Sequence, residues 1–505
     1  MLSRPGADVG SGNRTAHAAH RTGGGTVSNR SPKGAIPMSP QSTPYTKKAY
    51  GLSIAAAVGG FLFGFDSSVI NGAVDAVDHT FSLGPALTGV IVAVALLGCA
   101  LGAWIGGGIA DRYGRLRVIF IGGILFLVSS VGAGLTIGPW DLLLWRVLGG
   151  IGIGIASVVT PAYIAEISPR QIRGTLASYQ QLAITLGIFA ALLSDAMLAT
   201  SAGGASEQLW VGLAAWRWMF LVGAVPALVY IVLSFTLPES PRYLLAKKRV
   251  DEARAIFKTL VIESEVERNI NDINKAIEAD EKNTGASLRG SVLGLQGVVW
   301  VGIILSVFQQ FVGINVIFYY STSLWKAVGF TEESSLLVSV ITSVTNVVLT
   351  FVAIFLVDRV GRRPILLSGS ILMTIALGTM ALAFSFASKS GDDVSLPGAW
   401  GPIALIAANL FVIGFAASWG PLVWVLLGEI FPPKIRGKAL GVAAAAQWLA
   451  NFAITVTFPS MSAWSLPLTY GMYAVFAALS FVFVLAKVPE TKGMELEQAE
   501  TLFTK

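Results

Sequence analysis

Cysteine is almost absent: Cys99 is the only one in 505 residues. No intrachain disulfide can form, and no cysteine-based metal site is expected. Histidine is nearly as scarce. His17, His20 and His79 lie outside the apolar runs, so a histidine proton relay is not expected. Charge is thin too, with 13% of residues charged, about half the share of soluble domains. No nucleophile–base pair, metal spacing or nucleotide loop stands out. An enzyme is therefore not expected, and neither is a cofactor.

What is present is apolar. Hydrophobic residues make up 54% of the chain, and the mean hydropathy is +0.69. Several runs exceed the roughly 18 apolar residues that a helix needs to cross a bilayer. A barrel would show short alternating strands instead. The net charge of +6 is no nucleic-acid signal, because Lys and Arg gather in short loops between the runs. Residues 1–48 are rich in Gly, Ser, Pro, Thr and Arg and lack an apolar core. They read as a disordered tail, not a signal peptide, with Met38 as an alternative start.

Hydropathy places spans near 50–74, 87–109, 117–137, 141–165, 176–198 and 214–236, then near 296–322, 335–357, 365–387, 401–428, 438–460 and 468–487. The connecting loops alternate in charge. DRYGRLR (111–117), SPRQIRG (168–174), the segment 238–293, DRVGRR (358–363) and PPKIRGK (432–438) share one side. The other side has almost no Lys or Arg beyond Lys326 and Lys389. The positive-inside rule puts the basic side and both termini in the cytoplasm of a cell membrane.

The two groups of spans repeat each other. GGGIADRYGRLR (106–117) is answered by FLVDRVGRRP (355–364), and PAYIAEISPRQIRG (161–174) by VLLGEIFPPKIRG (425–437). LPESPR (237–242) closes one half and VPETKG (488–493) the other. Duplicated six-span halves suit an alternating-access carrier with its site between them. The expected fold is an all-α membrane protein. Its parts are a tail (1–48), an N-terminal six-helix bundle (49–242), cytoplasmic linker helices (243–293), a C-terminal six-helix bundle (294–490) and a tail (491–505). The linker is charged and helix-prone, and reads as short amphipathic helices.

One residue breaks the apolar pattern most sharply. Asp66 lies in the run from Tyr50 to Asp75, and a carboxylate in hydrocarbon is costly unless paired or protonated. Arg146, in WDLLLWRVLGGIGIGIASVV, is the candidate counter-charge. Counting up from Gly51 puts Asp66 roughly 22 Å deep, and counting down from Asp141 puts Arg146 roughly 8 Å deep. In a core about 30 Å thick these levels coincide. A guanidinium favours the ionised carboxylate and burial disfavours it. A pair that loosens as the carrier tilts would thus couple proton loading to movement. A structural ion pair is the competing reading, although buried pairs are poor stabilisers.

The two D-R-x-G-R signatures, PESPR, PET and the QQFVGIN stretch of the seventh span resemble the sugar porter family of the major facilitator superfamily. The resemblance covers essentially residues 50–495. GGFLFGFDSSVINGA is most similar to bacterial hexose– or pentose–proton symporters, whose aspartate here couples the proton. The resemblance implies that Gln181, Gln309, Gln310, Asn315, Asn346 and Trp424 hold a monosaccharide, with Gln447, Trp448 and Phe63 beside them. Amides suit sugars because both donate and accept hydrogen bonds, and an indole can cover the C–H face of a sugar ring.

Gln310 and Asn315 are about 140° apart on an ideal helix, so sharing one cavity requires a bend, and Gly313 offers the place. A second break is expected at Gly420-Pro421, ahead of Trp424. Helix-to-helix glue is the competing reading of the amides. Ile188 stands where the xylose symporter has a second glutamine, which argues moderately for D-glucose. The resemblance also implies a cytoplasmic gate of charges pairing between the halves, closed in the outward-open state and broken in the inward-open one: Asp111, Arg115, Glu166, Arg173, Glu239, Arg242, Asp358, Arg362, Glu429 and Arg436, with Arg112, Arg359, Arg363 and Glu490 nearby. A proton-coupled hexose importer acting as a monomer in the lipid bilayer follows as the expectation. A uniporter, a pentose or polyol symporter, or a sugar sensor are the alternatives.

Overall fold

The computed structural model describes residues 44–168, 173–282, 287–290, 292–390, 393–432 and 435–492. Among the described residues, twelve helices are long and apolar enough to cross a membrane. We number them as spans: 1 (Lys48–Phe81), 2 (Gly84–Tyr113), 3 (Arg115–Gly134), 4 (Pro139–Ile167), 5 (Tyr179–Ala202) and 6 (Ala215–Thr236). Then follow 7 (Gly297–Lys326), 8 (Glu332–Val357), 9 (Arg362–Ser385), 10 (Trp400–Ile430), 11 (Arg436–Trp464) and 12 (Leu466–Lys487). A short antiparallel ladder, Ser388–Ser390 against Asp393–Ser395, decorates the loop after span 9.

Several helices overrun the apolar stretch that marks them. The first helix runs from Pro44 to Phe81, so it begins inside the segment expected to be a tail, whose residues 1–43 lie outside the described residues. At 1.5 Å per residue, span 1 is about 50 Å long, well beyond a hydrocarbon core of about 30 Å. Its polar end, through Asp75 and Asp78, stays helical because nothing in it breaks the backbone ladder.

Three spans are interrupted, and proline accounts for two of the breaks. A proline lacks an N–H and clashes with the carbonyl four residues back. Pro226 thus ends the first piece of span 6 at Val222 (Ala215–Val222, then Ala224–Thr236). Pro421 ends the first piece of span 10 at Ala416 (Trp400–Ala416, then Trp419–Ile430). The span 10 break therefore falls at Ala417-Ser418, not at Gly420-Pro421 as expected, because the proline acts on Ala417 and then fits the first turn of the new helix. Span 7 breaks between Phe311 and Ile314. There Gly313 takes a left-handed φ of +84°, which only glycine adopts cheaply.

The repeat seen in the sequence reappears in the packing. Span 2 lies against span 11 and span 5 against span 8, so the second helix of each half meets the fifth of the other. Within the first half, span 2 packs on span 4 and span 1 on span 5. The linker helices Val250–Leu260 and Glu263–Lys282 bury Ala253, Phe257, Leu260, Val266 and Ile270 against Ala49, Ala56, Tyr163 and Leu237. They are therefore docked on the first half.

Backbones approach closely between spans 2 and 4. A Cβ on Gly150 would overlap the carbonyl of Ala95, and one on Gly154 that of Cys99. Small residues let helices without a hydrophobic driving force reach van der Waals contact. Gly150→Ala is expected to lower stability by about 1–3 kcal/mol through overpacking. Gly428→Ala, where a Cβ meets nothing within 4 Å, should not. Thermal unfolding in detergent compares the two.

Candidate functional site

Span 1 carries Asp66 and span 4 carries Arg146 to one depth, and the structure joins them. Arg146 Nη1 donates to both carboxylate oxygens of Asp66 at 3.1 Å. Both residues are buried, at 7% and 3% exposure. The guanidinium is not saturated, since its Nε is buried without a partner among the described residues. Beside the pair lies a cavity of about 10 Å³, lined by Asp66, Ser67, Cys99, Arg146, Ile153 and Tyr319 among others. That is close to the smallest space that admits a water.

Tyr319 belongs to the second piece of span 7, in the other half of the molecule. Its hydroxyl meets the side chains of Ser67 and Asn451. Asn451 Oδ1 also accepts from Thr455 Oγ1 at 3.1 Å. One side chain thus touches the neighbour of Asp66 and the polar face of span 11. Sequence spacing placed Tyr319 in span 7 without showing that it reaches the acid.

The break at Gly313 brings the span 7 amides together. Asn315 Nδ2 donates to Gln310 Oε1 (2.5 Å), Gln310 Nε2 to Gln309 Oε1 (3.3 Å), and Gln309 Nε2 to the Trp419 and Gly420 carbonyls (2.9 and 3.1 Å). The amide chain therefore anchors on the first turn after the span 10 break. A Cβ on Gly313 would meet the Tyr473 ring at 2.7 Å, so both its φ and its size are required.

The other candidates are spread around this centre. Gln447 Oε1 is buried without a partner among the described residues. Trp448, on the next residue, meets the Phe63 ring edge-on at 5.5 Å, across the two halves. Trp424 is 42% exposed and Asn346 is buried. Gln181 is half-buried. Its neighbour Gln180 packs against Gly60 of span 1. Trp419 is fully buried, and its indole donates to Ser370 Oγ, as suits a packing residue.

The charges of the basic side form two copies of one clamp. Arg115 pairs with Glu166 (2.9 Å) and Asp111 (3.0 Å), while Glu239 accepts from the backbone N–H groups of Arg115 and Ser240. In the second half Arg362 pairs with Glu429 (2.9 Å), and Glu490 accepts from the N–H groups of Arg362 and Arg363. Burial pushes Glu490 up, but four backbone N–H groups outweigh it and hold the carboxyl below its usual range.

These described pairs lie within each half. The reason is geometric. Each arginine starts a span that packs beside the glutamate's span in its own bundle. Arg436 donates to the Phe431 carbonyl, and Arg242 makes further interactions. The side chains of Arg173 and Asp358 lie outside the described residues.

On the opposite side the halves are latched together. Asn71 Nδ2 donates to the Phe318 carbonyl (3.1 Å) and Ser321 Oγ (2.8 Å), and its Oδ1 accepts from Thr322 N–H (3.0 Å). Asp75 pairs with Lys326 at 2.9 Å. Glu332 accepts from the N–H of Ala205 at 2.8 Å. Neither Asn71 nor Asp75 stands out from the sequence as a link between the halves, although polar residues near the end of a membrane helix were the signal available.

The family model described as "Sugar (and other) transporter" matches residues 52–503. A glucose transport protein of Synechocystis is 52% identical over 460 residues, covering 91% of this chain and 98% of the relative. The D-xylose-proton symporter of Escherichia coli is 36% identical over 487 residues, covering 90% and 95%. Among solved structures, the inward open conformation of the E. coli xylose transporter aligns with a TM-score of 0.77 at 35% identity, covering 90% of this chain and 100% of that one. The proton:xylose symporter bound to 6-bromo-6-deoxy-D-glucose aligns at 0.75 and 35%, covering 91% and 100%. The chain has the major facilitator fold and belongs to this sugar transporter family.

Removing one partner of a buried pair costs about 3–5 kcal/mol. Arg146→Ala should therefore lower the melting temperature in detergent. The loss should shrink on acidification, which neutralises the orphaned Asp66, and grow as pH rises. Adding Asp66→Asn should restore part of it at neutral pH. Equal losses at every pH would remove the ion pair from the account.

Proposed function

We propose that this member of the sugar transporter family imports a hexose, foremost D-glucose, together with a proton. The observation that carries the reading is the buried Asp66–Arg146 pair beside a water-sized cavity that Tyr319 closes from the other half. A passive facilitator has no need of a buried acid at that place. Ile188 and the 52% identical glucose transport protein both support glucose as the sugar.

The basic loops face the cytoplasm of a plasma membrane, with both termini on that side, by the positive-inside rule. The two six-helix bundles are the rocking units, and the protein acts as a monomer. In the outward-facing state Asp66 takes a proton, which releases Arg146. Sugar then binds Gln181, Gln309, Gln310, Asn315, Asn346 and Trp424, with Gln447, Trp448 and Phe63 around it. The halves rock, the far-side latch of Asn71, Asp75 and Lys326 forms, and sugar leaves. Asp66 releases its proton and pairs with Arg146 again, as in this structure. The empty carrier then returns.

One charge crossing a membrane yields about 2.3 kcal/mol per 100 mV, and each pH unit adds about 1.4 kcal/mol. One proton per sugar can therefore sustain a gradient of two or more powers of ten.

Asp66→Asn keeps the shape of the side chain but cannot cycle a proton. In reconstituted vesicles it should abolish accumulation of labelled glucose under an imposed pH gradient while sparing exchange of sugar down its own gradient. Continued accumulation by the variant would sink the coupling role. Competition by unlabelled hexoses, pentoses and polyols against labelled glucose tests the choice of sugar.

A further inference from the structure

A second carboxyl lies inside the apolar part of the molecule, away from the pair described above. Asp195 is on span 5, seven residues before its end at Ala202, so roughly 10 Å inside it. It has no exposed surface. Its Oδ2 accepts one hydrogen bond, from the N–H of Gly72 on span 1 at 3.3 Å. Its Oδ1 is buried without a partner among the described residues. The seat is close-fitting, since a Cβ on Gly72 would fall 2.6 Å from the Asp195 Cβ.

The ionisable groups on the helices packed around span 5, namely spans 1, 4, 6 and 8, are engaged elsewhere or exposed. On span 1, Asp66 holds Arg146, Asp75 holds Lys326, and Asp78 accepts from Gly84 and Thr88, while Lys48 and His79 are exposed. On span 4, Asp141 caps its own helix, Tyr163 donates to Pro238 and Glu166 holds Arg115. On span 6, Arg217 donates to the Gly134 and Thr136 carbonyls, and Tyr230 bonds Thr160. On span 8, Glu332 accepts from Ala205, and Glu333 is exposed. A buried carboxylate with one weak donor and no cation is carried as the neutral acid instead. The free oxygen and the absence of a counter-ion among these groups distinguish Asp195 from Asp66.

Gly72 adjoins Asn71, which latches span 1 to span 7. Along span 1 the Asp195 seat lies roughly 9 Å beyond Asp66, toward the latched side. We propose that Asp195 is a second proton-binding group, neutral while the far side is closed, whose proton seats span 1 so that the Asn71 latch can form. Ionisation would draw water into the contact at Gly72 and loosen the latched state. The consequence for transport rests on the proton-coupled reading, whereas the protonation of Asp195 does not.

The test starts from Asp66→Asn protein, which removes the other buried acid, and adds Asp195→Asn. Infrared spectra of the solubilised protein should show a protonated-carboxyl C=O band at neutral pH that disappears in the double variant. A spectrum that does not change on adding Asp195→Asn overturns the proposal, even if Asp66 proves to be the coupling acid. Should Asp195→Asn fail to fold, Asp195→Ser removes the same band.

The sign for function follows from linkage. A proton held more tightly in the latched state stabilises that state at low pH, and the gain is lost as pH rises and the group ionises. Glucose exchange by the otherwise unmodified protein should fall in alkaline buffer, by up to about tenfold per pH unit once Asp195 ionises. Asp195→Asn should flatten that fall. Superimposable pH profiles would overturn the seating role.

Discussion

A charge in hydrocarbon must find a partner or lose itself, and much of this molecule is arranged around that constraint. Asp66 and Arg146 sit on different helices, and neither is tolerable alone at its depth. Their pairing requires spans 1 and 4 to keep register along the bilayer normal. The glycines of spans 2 and 4 allow the close backbone approach that the first bundle needs around the pair. The same constraint makes the pair useful. A proton on Asp66 abolishes half of an attraction that the surrounding packing has been built to satisfy.

Gathering polar side chains in such a setting depends on broken helices. An intact helix bonds its own backbone and points neighbouring side chains in different directions. The left-handed turn at Gly313 re-aims Asn315 toward Gln310, and the break before Trp419 gives Gln309 two carbonyls to hold. The amide row is thereby held in place by its own hydrogen bonds. Tyr319, carried on the second half, then touches the residue next to Asp66. The same hydroxyl meets Asn451 of span 11.

The clamps on the basic side and the latch on the far side divide the work. Arg115 with Glu166, and Arg362 with Glu429, tie helix ends inside one bundle and keep each half rigid. Asn71, Asp75 and Glu332 instead reach across to the other bundle. Halves that meet along spans 2 with 11 and 5 with 8, and through a few polar contacts, suit a two-state movement, because a handful of hydrogen bonds can be exchanged while each core stays packed.

Much was legible along the chain. Twelve apolar runs, the charge alternation of the loops, the duplicated motifs and the isolated Asp66 are local or periodic properties, set by what a bilayer tolerates. The need for a bend at Gly313 was also readable, because helical angles alone forbid Gln310 and Asn315 to share a face. Tertiary structure decided the rest. It placed the clamps within halves, set Tyr319 against Ser67, chose Asn71 for the latch and left Asp195 facing Gly72 without a cation. Those outcomes turn on the rotation and axial offset of helices distant in sequence. No periodicity encodes these quantities, because they emerge only when both bundles are packed.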